Sequence, residues 1–261
     1  MPLVRFAASL MTGVLVAALA GCGSSRHASP VPPTASRAAI EHAGETTIAE
    51  GTARFTLAVS GNVGGLGMRA DERGSVAFVR PRAHIYKLLL SGGIPEEVIV
   101  DGPYVYTNGN VQAAMNDTTV KPWTKLDTRR LTVEQRQSTG DELAHVRTPA
   151  YLIEGVADLR RVGVGAGGVV HVRGTVDPAR LASRVPTSVR ASILATVDRD
   201  YTRAPFPADF WIDPKGRVRR VHVSYDTGSN GRIVVTATYS GFGSAVHLGL
   251  PRPSHTQDIT P

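Results

Sequence analysis

The sequence predicts an α+β domain organised on an antiparallel sheet, and three observations carry that prediction. Beyond Gly51, apolar residues repeatedly recur at every second position in runs bounded by Gly, Pro or Asn, the pattern of half-buried antiparallel strands. Two windows, residues 35–49 and 177–201, carry apolar residues at helical spacing instead. The 261 residues include 27 glycines and 17 prolines, which favours turns over long helices.

Taken in order, Ala39, Ile40, Ala43 and Ile48 predict a short helix interrupted at Gly44. Phe55, Leu57 and Val59 then alternate with Arg54, Thr56 and Ala58, and a turn is expected at Ser60-Gly61-Asn62. Three further strands are expected. Residues 73–79 place Val76 and Phe78 on one face, 84–90 do the same for Tyr86 and Leu88, and 97–106 for Val98, Val100 and Tyr104. A polar, loop-like stretch, 108–119, precedes a short strand around Trp123, and after polar segments at 131–137 and 141–145, Pro149 opens an expected helix over 150–156.

Strands resume at 158–164 and 169–176, joined by Gly165-Ala166-Gly167-Gly168. Asp177 is suited to cap a helix whose first position is Pro178, and a second helix, 187–201, sets Val189, Ile193, Leu194 and Val197 on one face. The last third is β: Phe206, Ala208, Phe210 and Ile212 alternate, Asp213-Pro214-Lys215-Gly216 makes a turn, and Val221, Val223 and Tyr225 return. Asn230-Gly231 signals a type I′ hairpin leading to Ile233, Val235, Ala237 and Tyr239. A short strand over 244–248 and a loose Pro-rich tail, 251–261, complete the expectation.

The start of the chain has a different texture. One positive charge, Arg5, precedes an apolar or small run from Phe6 to Leu19, followed by Leu19-Ala20-Gly21-Cys22. This is the layout of a secretory signal, and the run is shorter than the roughly 20 residues a spanning helix needs. Leu19-Ala20-Gly21-Cys22 resembles the lipobox of bacterial lipoproteins, and Cys22, the one cysteine of the chain, stands where that motif places its lipidated residue. The resemblance implies a signal peptide, 1–21, and a mature start at Cys22 carrying a diacylglyceryl thioether with acylation such as palmitate. It implies a protein anchored in membrane lipid on the extracytoplasmic face of the cell membrane. Residues 22–35, rich in Ser and Pro, read as a flexible stalk, and 36–250 as the folded domain.

Charge and motifs exclude more than they assign. The formal charge is +7 and the pI about 9.9, yet the basic residues are scattered, and an exported protein is a poor partner for nucleic acid. With one cysteine there is no disulfide and no thiolate metal site. The eight histidines lack metal-ligand spacing. No nucleophile elbow or Ser-x-x-Lys occurs, and the adjacent acids Asp71-Glu72 and Glu96-Glu97 point to opposite faces of a strand. The glycine run 163–168 leads into a strand rather than a helix, so it reads as a hairpin and not a phosphate loop. No catalytic set, metal or cofactor is therefore expected, and the chain does not read as an enzyme.

The order of parts resembles a family. The lipobox, stalk and short helix precede Thr52-Ala53-Arg54-Phe55-Thr56-Leu57. A Trp123-Thr124-Lys125-Leu126-Asp127 strand and a helical insertion follow, then Phe210-Trp211-Ile212-Asp213 with Gly216-Arg217-Val218-Arg219-Arg220-Val221. Together they look like the actinobacterial LppX/LprAFG lipoproteins, which belong with the LolA-type periplasmic carriers. That resemblance implies a strongly curved antiparallel sheet, a half-barrel, whose concave face is covered by helices around an apolar cavity. Transfer energy would then hold a lipid, at about 0.8 kcal/mol for each buried methylene.

The inward faces Phe55, Leu57, Val59, Val76, Phe78, Tyr86, Leu88, Val98, Val100, Val221, Val223 and Tyr225, with Val189, Ile193 and Leu194 from the covering helix, would line such a cavity; the same residues would equally build a filled core. Two functions follow. One is a lipoprotein that binds or shuttles a lipid or other lipophilic ligand, with an envelope transporter or acceptor protein as partner. The other is a non-catalytic envelope scaffold or sensor acting through a protein partner.

Overall fold

The computed structural model describes residues 34–63, 66–89, 95–109, 121–132, 135, 142–200, 204–226 and 231–261. Two short helices, α1 (Arg37–Glu41) and α2 (Ala43–Ala49), lead into six strands: β1 (Thr52–Val63), β2 (Leu66–Ala77), β3 (Arg82–Leu89), β4 (Glu96–Asp101), β5 (Tyr104–Asn108) and β6 (Trp123–Asp127). Helix α3 (Glu142–Tyr151) and a 3₁₀ turn, Leu152–Gly155, come next. They are followed by β7 (Arg160–Val164), β8 (Val170–Val176), α4 (Pro178–Arg184) and α5 (Thr187–Asp200). The chain ends with β9 (Phe206–Ile212), β10 (Val218–Asp226), β11 (Arg232–Ser240) and β12 (Thr256–Asp258).

All twelve strands form one sheet in the order β12-β6-β5-β4-β3-β2-β1-β11-β10-β9-β8-β7. Every pairing is antiparallel except β12 with β6. The sheet is curved, and the helices cover one face of it, giving the α+β half-barrel that the sequence predicts.

Strict alternation divides the faces. Phe55 lies opposite Gly74 and Tyr239, and Leu57 opposite Glu72 and Ala237. Carried outward, this register turns Ile85 and Val98 to the helices on one side, and Val221, Phe210 and Val172 on the other. These residues are buried in one apolar cluster. Helix α3 docks on it by two specific bonds. The Tyr239 hydroxyl donates to the Val146 carbonyl at 2.8 Å, and the buried Arg147 guanidinium donates from Nε to the Ala77 carbonyl at 2.9 Å. Thr47 in α2 donates to Ala43 and accepts the Val218 amide at 2.7 Å, joining α2 to β10.

Several expectations are corrected. The first helix breaks at His42 (φ −111°) and not at Gly44, which lies inside α2. Ser60-Gly61-Asn62 is not a turn. Strand β1 runs through it, and Gly61 sits where a Cβ would come 2.8 Å from the Arg232 carbonyl of β11. Strand β2 begins at Leu66, well before residue 73, and Val79 lies beyond its end, 70% exposed. The expected strand 97–106 is a hairpin. Gly102, with φ +61°, opens a two-residue turn between β4 and β5, as a type II′ turn requires. The turn sends Tyr104 to the outer face.

Pro149 does not open a helix; it stands near the end of α3. Asn230 lies outside the described residues; Gly231, which follows it, takes φ +95°. No strand forms over 244–248. The tail instead contributes β12, with the Ile259 amide donating to the Lys125 carbonyl at 2.9 Å and the Asp127 amide to Thr260 Oγ1 at 2.9 Å.

Because Tyr239 is fully buried, replacing it by Phe leaves the Val146 carbonyl without that donor. Tyr239→Phe is expected to lose about 1–2 kcal/mol, read by chemical denaturation. An unchanged midpoint would show that the bond does not hold α3 to the sheet.

Candidate ligand cavity

Residues proposed from the sequence as a lining separate into three groups. Phe55, Leu57, Val76, Phe78, Val98 and Val100 are buried in the core, as are Ile193, Val221, Val223 and Tyr225. Val59, Val189 and Leu194 are partly buried. Tyr86 and Leu88 are on the outer face, 44% and 41% exposed, which corrects their assignment to the concave face. Ala83 and Ile85, both fully buried, supply the inward row of β3 because they pair with Val76 and Gly74. Cys22 lies outside the described residues. Tyr151, Phe206 and Phe210, all inaccessible, fill the centre between helices and sheet; Phe206 meets the ring of Tyr225 at 6.2 Å.

Open volume lies elsewhere. A partly open cavity of about 780 Å³ lies among α1, the 3₁₀ turn and the segment after it, β7, β8 and α4. Its apolar lining comes from Ile40, Ile153, Val156, Leu159 and Val172. Its basic lining comes from Arg37, Arg161, Arg180 and Arg184. Local sequence explains these positions. Ser36 caps α1 by accepting the Ala39 amide at 3.1 Å, which turns Ile40 inward. Asp177 caps α4 by accepting the Ala179 amide at 2.8 Å, with Pro178 at the first helical position as expected. Arg180 and Arg184, four apart, then share a helix face. Arg161 pairs with Val172 and takes the helix-covered side of the edge strand β7.

Three carboxylates join this lining, each with a partner from the chain. Glu41 accepts from Arg37 Nε at 2.9 Å, and Asp158 accepts the Thr175 amide at 2.7 Å. Glu154 is buried and accepts the Glu45 amide at 3.1 Å. Gly44 makes room for that contact, because a Cβ there would collide with the Glu154 carboxyl. Burial pushes the Glu154 pKa above its ordinary 4.5, against the Glu45 hydrogen bond and the nearby charges of Arg184 and His42. Sequence reading missed this cavity. Its detectable signals were the Arg180/Arg184 spacing behind a capped helix and the parity that sets Arg161 with Val172.

The outer face holds polar cross-strand pairs and a second recess. His171 and Arg173 both reach Asp209, at 2.6 and 2.9 Å, and Trp211 stacks on His171 with 4.4 Å between centroids. Burial raises the Asp209 pKa, but these two donors outweigh it and hold the carboxyl below its ordinary range. His84 lies 2.5 Å from Glu97, linking β3 to β4. A strip of about 640 Å³ crosses the outer face beside Tyr86, Leu88 and Pro95. Among the described residues, no group of three or more His, Cys, Asp or Glu is placed to hold a metal ion.

No family model matches the chain, and no curated protein matches it. Among solved structures it is similar to the Mycobacterium tuberculosis lipoprotein LppX, at 17% identity and TM-score 0.47, over 82% of this chain and 100% of that one. It is also similar to a chain of the Pseudomonas aeruginosa MucA/MucB complex, at 14% identity and TM-score 0.33. That match covers 85% of this chain and 64% of the other, so this chain spans less than two thirds of that neighbour. A LolA superfamily protein from Nitrosomonas europaea is a further neighbour, at 9% identity and TM-score 0.30, over 85% of this chain and 96% of that one.

Glu154 supplies a test of the cavity's electrostatics. A carboxyl with a raised pKa in the fold keeps its proton to higher pH than in the unfolded chain, so stability falls as pH rises from 4.5 through the raised value. Glu154→Gln removes this dependence. Relative to the parent, the variant should gain stability as pH rises over that window and then level off, measured by denaturation at successive pH values. A pH-independent difference would count against the assignment.

Proposed function

We propose that this protein is a membrane-anchored lipoprotein, acylated at Cys22, that binds a lipid or other lipophilic ligand and carries it within the cell envelope. The observation that supports this most is the 780 Å³ cavity, lined by Ile40, Ile153, Val156, Leu159 and Val172 together with four arginines. Its volume falls within the usual range for small-molecule sites, about 300–1,000 Å³. Its apolar side chains would take part of an acyl chain out of water. Ala35, where the proposed stalk enters the domain, lines the cavity. Ala35 lies thirteen positions after Cys22, so an extended stalk could span at most about 45 Å.

A second reading has its own support. Ten of the residues expected to line a central cavity are packed in the core, and Tyr86 and Leu88 are exposed together on the outer face. A scaffold or sensor engaging an envelope protein through that face would need no ligand.

Two measurements separate the readings. Native mass spectrometry of protein purified from a lipid-rich host should show bound mass in the lipid range; protein that stays empty favours the scaffold. Cys22→Ala should move the protein from the membrane to the soluble fraction, and retention in the membrane fraction would overturn the anchoring.

A further inference from the structure

We infer that the cavity carries an anion subsite, formed by Arg161, Arg180 and Arg184, for the phosphate group of an amphiphile whose apolar part lies along Ile40, Val156 and Val172. The inference rests on the proposed lipophilic function and specifies the chemistry of the ligand's polar end.

Three observations converge on it. Arg161 reaches the cavity from an edge strand, while Arg180 and Arg184 reach it from α4, so positive charge enters from two elements. None of the three has an ion-pair partner among the described residues, because Glu41 pairs with Arg37 and Asp158 with Arg160. Arg184 lies near enough to draw Glu154 toward its charged form, but Glu154 already accepts the Glu45 amide. Finally, the Arg180 Nε is inaccessible to solvent and has no acceptor from the chain.

Each of these features costs stability without a ligand. Like charges four apart on a helix repel, Arg180 stands in the first helical turn where the macrodipole disfavours a cation, and a buried donor without an acceptor is expensive. A phosphate ester would relieve the first two by neutralising the charge that Arg161, Arg180 and Arg184 bring to the cavity. Its oxygens accept several charge-assisted hydrogen bonds from planar guanidinium forks, whereas a carboxylate offers two oxygens to three arginines. The phosphate could belong to an anionic lipid headgroup or be free phosphate, and the test separates these sources.

The experiment uses the full chain carrying Cys22→Ala, which needs no detergent, and isothermal titration calorimetry with three probes: dioctanoyl phosphatidylglycerol, dioctanoylglycerol and inorganic phosphate. The phospholipid is expected to bind at least about tenfold more tightly than the uncharged lipid. Arg161→Gln, Arg180→Gln and Arg184→Gln should each shrink that advantage, and added salt should weaken it. Arg160→Gln, which removes the same charge on the outer face, should keep it. Circular dichroism and the melting midpoint identify any variant that has failed to fold.

Equal affinity for the two lipids overturns the anion subsite and leaves the lipophilic function standing. Arginine-dependent binding of inorganic phosphate without either lipid supports the anion subsite but overturns the lipophilic function. Binding of none of the probes overturns both.

Discussion

Phe55 lies between Gly74 of β2 and Tyr239 of β11, and the inward row of the whole sheet follows from those two pairings. A one-residue slip would turn every apolar side chain of the row to the other face. Gly74 has no Cβ, which would otherwise collide with the His84 carbonyl and part β2 from β3. On the other flank, Tyr239 carries the row into the helical layer, since its ring meets Phe78 at 5.9 Å and its hydroxyl reaches α3. Register and helix docking thus depend on the same few side chains. The tyrosine needs the polar contact because a phenol in an apolar core loses its water.

The two faces handle charge differently. Outside, His171, Arg173 and Asp209 bridge β8 and β9, and Arg220 lies 4.8 Å from the Trp211 ring centre. Such partly hydrated pairs order a surface more than they stabilise a fold. Inside, charge enters where it can reach a specific acceptor: Arg147 binds strand-end carbonyls and Glu154 takes a backbone amide. Arg180, beside the end cavity, departs from this rule: it is half-buried, and its Nε has no acceptor from the chain. Local inconsistency of that kind tends to mark function rather than folding.

How far the sequence revealed this architecture depended on where its signal lay. Capping was legible, because Asp177 and Pro178 act through bonds to immediate neighbours. So were β9 and the turn after it, where Gly216 takes φ +80° and its amide donates to Asp213. Parity in β3 was not. Tyr86 and Leu88 alternate with the charged Lys87 and so read as the apolar face, whereas the pairing of Ile85 with Gly74 and of Ala83 with Val76 puts the other row inward. Gly44 and Gly61 read as breakers because a close approach by Glu154 or Arg232 is invisible in one dimension. The hairpin at Gly102 carried a signal in Asp101-Gly102, hidden by apolar residues that continue on both sides. The tail misled for a related reason: a three-residue strand has no period, and β12 exists because β6 offers it an edge.

The position of the cavity follows from how a curved sheet is covered. Where α3 and α5 pack together over the central strands, Tyr151, Phe206 and Phe210 occupy the space and leave a filled core. Toward β7 and β8 the cover changes to the short α4, a 3₁₀ turn and α1, and elements this short cannot close over the sheet as long helices do. An amphiphile suits such a margin because its two ends have opposite solvation needs. The apolar end would lie along Val172 and Ile40, while the charged end would stay where water and arginine are both near. A fully enclosed central cavity would have to strip the charged end of water, at a cost that buried ion pairing seldom repays in full. For the proposed amphiphile a filled centre and a basic margin are compatible, and exchange with a membrane would take place at that margin.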